Sequence, residues 1–267
     1  MKRAFCLIRE APWYRREVFA SGLKRAGYTV FHGLRHDPGS GDVLLIWNRY
    51  SSNHEMALNA ERRGARVLVA ENGYLGAGGT SPKFDVHPGG PKPHHYYALS
   101  EGYHNGGGRD YAGPPGRFAQ LGVEIKPWKT TGGRVLVCPN RSFGVPGRTM
   151  PIDWAERTRS QLLATGVKDV HIRAHPGNDS PKRPIQADLA TARAVYIWSS
   201  SVGVHALLEG IPVFCAAPYW VMKAAAAKGL PDAPECPERL PHFERMAWAQ
   251  WRLDEIETGE PFRLLLQ

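Results

Sequence analysis

Cysteine is scarce and scattered in this 267-residue chain: Cys6, Cys138, Cys215 and Cys236 are the four, and no two stand at the spacing of a zinc or redox motif. The first three lie in apolar, strand-like runs where a thiol behaves as a small hydrophobe, so neither a structural disulfide nor zinc is expected. Long apolar runs are also missing. The longest, such as residues 43–47, fall far below the roughly 20 residues of a membrane-spanning helix. Met1-Lys2-Arg3 is followed by only residues 4–8 before Arg9 and Glu10, too little for a signal-peptide core. No membrane span is expected, and the location expected is cytoplasmic. No G-x-G-x-x-G follows the first strand, where residues 9–14 read REAPWY, which disfavours an NAD-type dehydrogenase. Nor does an aspartate pair of the DxD kind occur in a metal-holding context.

What is present is a globular composition, 42% hydrophobic and 22% charged, in a length that suits one large or two small domains. The net charge of +9 is uneven: residues 1–133 carry 18 Lys and Arg against 11 Asp and Glu, a surplus of seven, and the remainder a surplus of two. Basic excess in one half points to a polyanionic partner there. Along the chain, strands at 3–8, 28–31, 42–47 and 66–70 interleave with helices at 14–27 and from Asn53, the pattern of a parallel, doubly wound sheet. Residues 73–133 are loop-like by composition, with one short strand at 96–99. They hold His87, His94, His95 and His104. None of these pairs at the i, i+4 spacing of a helical metal site, and adjacent His94 and His95 would face opposite sides of a strand. With the neighbouring tyrosines they suit an acceptor-binding surface better. A second half follows: strand 134–138, helix 153–163, strands 170–174 and 194–198, a helix from Val202, strand 211–214, a helix 218–229, a proline-punctuated connection 231–241 and a final amphipathic helix 242–258.

Two strand ends carry the chemistry. Strand 170–174 breaks at His175-Pro176-Gly177, and strand 194–198 stops at Ser199-Ser200-Ser201 before a helix. Such ends lie at the carboxyl edge of a parallel sheet, where ligands bind in open α/β folds. Serine hydroxyls with a helix start suit a phosphate, and an imidazole on the neighbouring strand can donate to the same anion. Glu209 falls in the helix's last turn, against the negative end of its dipole, so a ribose hydroxyl pair is a fitting partner. Taken singly, Ser-Ser before a helix is an ordinary N-cap and His-Pro an ordinary turn. Their recurrence at successive strand ends, one βαβ step apart, is what points to a site.

An HP motif (His175-Pro176) followed by SSSVGVHALLEGIPV resembles the nucleotide-binding half of GT-B glycosyltransferases, near the capsule-polysaccharide transferases of Kdo-transfer type and the bacterial sialyltransferases. Ala70-Glu71-Asn72-Gly73 stands where those enzymes carry an acidic-Gly motif, with Asn72 where a second acid is common. The segments VLVCPNRSFGVPGRTMP and MAWAQWRLDEIETGE are similar to phage-encoded glycosyltransferases. The resemblance implies an α/β GT-B fold: two Rossmann-like domains with parallel sheets facing across a cleft, divided as 1–132, 133–240 and a C-terminal helix, 241–267, crossing back. It further implies a metal-independent transfer from a nucleotide-sugar, with no other cofactor. Arg141, His175, Ser199, Ser200, Ser201 and Glu209 would hold the donor. Glu71 would be the base, with Asp37, Asp85 or a loop histidine as alternatives, and Asn72, His94, His95 and Tyr96 would meet the acceptor. The acceptor expected is a 5-hydroxymethylated pyrimidine in phage DNA, making double-stranded DNA the partner. A capsule or surface saccharide is the alternative, and a non-catalytic nucleic-acid-binding module the alternative of another class.

Overall fold

The structure, a computed structural model, describes residues 2–11, 14–34, 36–75, 96–104, 113–129, 132–142, 144–175 and 184–267. The chain divides into two compact units, one of residues 1–113 with 247–267 and the other of residues 114–246.

The first unit opens with β1 (Arg3–Cys6), α1 (Arg16–Arg25), β2 (Thr29–Phe31), β3 (Val43–Trp47), α2 (Ser52–Arg62), β4 (Arg66–Asn72) and β5 (Tyr96–Glu101). Val-Leu-Leu-Ile in β3 and Val-Leu-Val-Ala in β4 are buried without alternation, as central parallel strands covered on both faces must be. Phe5, Leu44, Ile46, Val67 and Val69 form the core on one face, packed with Ala57 and Ala60 of α2.

The second unit runs through β6 (Arg134–Cys138), α3 (Trp154–Ala164), β7 (Val170–Ile172), α4 (Ile185–Leu189), β8 (Ala192–Ile197), α5 (Val202–Leu208), β9 (Val213–Cys215), the antiparallel hairpin β10 (Lys228–Leu230) and β11 (Ala233–Glu235), and α6 (Leu240–Ala247). Its main sheet is wholly parallel, in the order β7-β6-β8-β9. The helix expected over 218–229 does not form. Only one 3₁₀ turn, Lys223–Ala225, appears, because Ala226 turns extended and the Ala227 N–H is drawn to the Val213 carbonyl at 2.7 Å. Tertiary pairing here outweighs the high helix propensity of an alanine run. The connection expected over 231–241 contains β11.

The chain then returns to the first unit as β12 (Gln250–Arg252), α7 (Leu253–Thr258) and α8 (Glu260–Leu265), where one helix over 242–258 was expected. Ala249, Gln250 and Trp251 are consecutively buried, which one face of a helix cannot achieve but a covered strand can. The helix restarts at α7, where Glu255 reaches back to the Arg252 N–H at 2.7 Å, half of a capping box. The sheet order is β12-β5-β4-β3-β1-β2, parallel from β4 to β2, with β5 antiparallel to both neighbours.

Candidate functional site

In the second unit β6 lies between β7 and β8, pairing Val137 with Ile172 and Cys138 with Ile197. The order places the topological switch between β6 and β8, so three strand ends open side by side where an α/β sheet binds its ligand. From β6 emerge Asn140 and Arg141, from β7 Arg173 and His175, from β8 the three serines. The Asn140 side-chain carbonyl accepts the Ser199 N–H at 3.0 Å and ties the first of these ends to the last. Burial holds the His175 imidazole below its usual pKa of 6.5, and the charges of Arg141 and Arg173 push it the same way, which favours the neutral ring. Arg173 is itself pinned by Asp188 at 2.7 Å in a pair that is 14% and 7% exposed. Such burial is tolerable because each charge has its partner.

The serines divide the labour expected of all three. Ser199 gives its N–H to Asn140 and its hydroxyl hydrogen to the Tyr219 oxygen, so both donors are committed within the protein. Ser200 Oγ accepts the Val202 N–H at 3.3 Å, keeping its own hydrogen for another partner. Ser201, exposed at the N-cap of α5, makes no capping bond. Since α5 has only seven residues, side chains rather than a macrodipole must carry an anion here.

Glu209 stands at the far end of α5, about 12 Å along the axis from Ser201 at 1.5 Å per residue. Lys126 Nζ holds its carboxylate at 2.7 Å, supplying a counter-charge with no ribose required. The same end is closed by the Lys126 N–H on the Leu208 carbonyl and by Arg239, stacked 3.8 Å from Trp128, donating to the Leu207 carbonyl.

In the first unit Glu71 is the penultimate residue of β4, half-buried and opposite Ala98, and Asn72 beside it is exposed. The chain turns immediately after: the Gly73 N–H bonds the Tyr96 carbonyl at 2.9 Å, and a Cβ on Gly73 would lie 2.6 Å from that oxygen. Fully buried Gln250 then accepts the Tyr74 and Leu75 N–H groups at 2.8 and 3.0 Å. Tyr96 is 9% exposed, with its side chain bonded to Arg252, so it braces the sheet edge rather than lining an open surface. His94, His95, His87 and Asp85 lie outside the described residues, and Asp37 is exposed.

Arg173, Asn140 and Asp188 were not singled out from sequence. Arg173 had a signal, two residues before His175 on the same run-out of β7; Asp188, 15 residues further, had none. Among the described residues no three His, Cys, Asp or Glu side chains converge as a metal site requires.

No protein-family model matches the chain, and no curated protein matches it with significance. Solved structures do. The beta Kdo 2,4 transferase of Thermosulfurimonas dismutans KpsC superposes with a TM-score of 0.55 at 13% identity, covering 94% of this chain and 92% of that one. The beta Kdo 2,7 transferase of the same protein gives a TM-score of 0.52 at 15% identity, with 99% of each chain covered. Together with the two units, one on a parallel sheet and one on a sheet parallel from β4 to β2, these likenesses show that the chain has a GT-B-like glycosyltransferase fold.

Proposed function

We propose that the chain is a glycosyltransferase that moves a sugar from a nucleotide-sugar donor to a saccharide hydroxyl, in the building of a surface polysaccharide. The observation that carries this reading is the meeting of Arg141, Arg173 and a neutral His175 at the serine-bearing switch point of the second unit, in a fold matched along nearly its whole length by two Kdo transferases. The acceptor oxygen attacks the anomeric carbon while the bond from that carbon to the donor's phosphate oxygen breaks with its electron pair. Arg141 and Arg173 neutralise the departing anion, and His175 and the Ser200 and Ser201 hydroxyls donate to it. Glu71 takes the acceptor proton. The reading assigns no metal.

A panel of CMP-, UDP- and GDP-sugars tests the donor: one of them should raise the melting temperature and be consumed in the presence of an oligosaccharide. If none stabilises the protein or is turned over, the reading fails. Glu71→Gln should keep donor-induced stabilisation and lose transfer by about 10² or more. Full turnover by that variant would move the base elsewhere. A hydroxymethylated pyrimidine in DNA, expected from the basic first half, draws no support from the matched structures, and His87, His94 and His95 of the loops offered for it lie outside the described residues. Salt-sensitive binding of duplex DNA with sugar transfer onto it would restore that acceptor.

A further inference from the structure

At the end of α5 away from the serines, the second unit opens on a cavity of about 520 Å³, a volume suited to a small molecule. Phe118, Val123, Ile125, Trp128 and Leu240 line it, with Arg239 among them. The strap of residues 125–129 is fixed to the helix end. The Lys126 N–H bonds the Leu208 carbonyl at 2.8 Å, and the Lys129 N–H bonds the Gly210 carbonyl at 2.7 Å. A Cβ on Gly210 would fall 1.9 Å from the Pro127 carbonyl oxygen, so this closure needs glycine. The opposite wall is held as well: Phe118 packs on Phe243 with ring centroids 4.9 Å apart, and its N–H bonds Glu244 at 3.2 Å.

Arg239 is 8% exposed, and burial pulls its pKa down. It donates to the Leu207 and Lys126 carbonyls at 2.5 and 2.7 Å, and its guanidinium carbon lies 3.8 Å from the Trp128 ring centroid. Among the described residues no carboxylate pairs with it. Arg49 and Arg173, by contrast, are each held by one, from Glu61 at 2.6 Å and Asp188 at 2.7 Å. Carbonyl oxygens occupy two of the five guanidinium donors but leave the net charge uncompensated, and a buried charge is stable when an opposite one meets it. Glu124 and Glu238 also line the cavity, but both are exposed, where water screens them. The apolar wall indicates the rest of the ligand. One face of Trp128 is covered by the guanidinium, and the remaining side chains are largely aliphatic, which suits an alkyl chain better than a stacked ring. Val123 and Leu240, 37% and 49% exposed, continue that apolar track towards solvent.

We infer that this cavity binds a single-chain amphipathic anion, with its alkyl chain along Val123, Ile125 and Leu240 and its carboxylate or phosphate on Arg239. The site is separate from the donor edge and stands whether or not the donor reading does. Exposed Glu124 and Glu238 would repel an anionic membrane surface, so the ligand is a free monomer. Calorimetric titration of the full chain with octyl phosphate, below its micelle concentration, should show one site. Binding of 1-octanol and of inorganic phosphate should each be at least tenfold weaker. Arg239→Gln, which keeps donors for the carbonyls and removes the charge, should weaken octyl phosphate tenfold or more and leave 1-octanol within a few fold. Val123→Glu, at an exposed position that spares the fold, should weaken both, and it decides the matter alone if Arg239→Gln does not fold. Octyl phosphate that fails to bind, binds no more tightly than 1-octanol or inorganic phosphate, or is unaffected by either folded variant would overturn the site. Binding seen only with phosphatidylglycerol vesicles would overturn the free monomer and make the face a membrane contact.

Discussion

At the scale of single residues, the second unit is organised by partners for charge. Arg173→Met takes the guanidinium away from the buried Asp188 carboxylate and should cost about 3–5 kcal/mol in urea unfolding, whereas Arg173→Met with Asp188→Asn should recover much of it. An unchanged loss in the double variant would show that packing, not charge, is at stake. Buried imidazoles set a second expectation. His205 in α5 is held below its usual pKa of 6.5 by burial, with Glu209 one turn on opposing the shift, and His175 is lowered as well. The unfolded chain then takes up protons near pH 6.5 while the folded chain does so only at lower pH, so stability falls as pH drops through that window. The melting temperature should be lower at pH 5.5 than at pH 7.5, and His205→Asn should shrink the difference. Much of the site was legible in the sequence at this scale, because Arg141, His175 and the serines each follow an apolar run that ends abruptly. The meeting of Trp198 with Arg148 and Tyr219 was not, since these partners stand 50 residues upstream and 21 downstream and no local pattern records that closure.

At the scale of elements, close approach decides what a side chain is allowed to be. A Cβ on Gly22 of α1 would fall 2.0 Å from the Ile256 carbonyl in α7, so only glycine lets these helices meet at this point. Gly22→Ala should lower the melting temperature by several degrees, whereas the same change at Gly133, where a Cβ would meet open space, should not. Equal effects at the two sites would refute the argument. The strands of both parallel sheets could be read from the sequence because β3, β4, β6 and β8 are apolar runs bounded by turns. The C-terminal segment could not. Phe243, Met246, Ala247, Trp251, Leu253 and Ile256 satisfy a helical period on paper, and only pairing with β5 reveals why Gln250 is buried. The same holds for the alanine run at 224–227, whose fate is set by a bond to Val213.

At the scale of the whole molecule, the chain leaves its first unit after residue 113 and re-enters it at residue 247. A chain ending at residue 246 lacks β12, leaves one edge of β5 unpaired and removes the Gln250 oxygen that holds the Glu71 turn. It should aggregate in proportion to concentration, as an uncovered strand edge does. A monodisperse truncated protein with its β-sheet signal intact would contradict that. The excursion also has a consequence for biosynthesis. A ribosome adds about 5–20 residues per second, so the nascent amino-terminal sheet must wait for the whole of residues 114–246 to be translated before its last strand arrives. During that interval of several seconds or more, the open edge is a natural client for a holding chaperone.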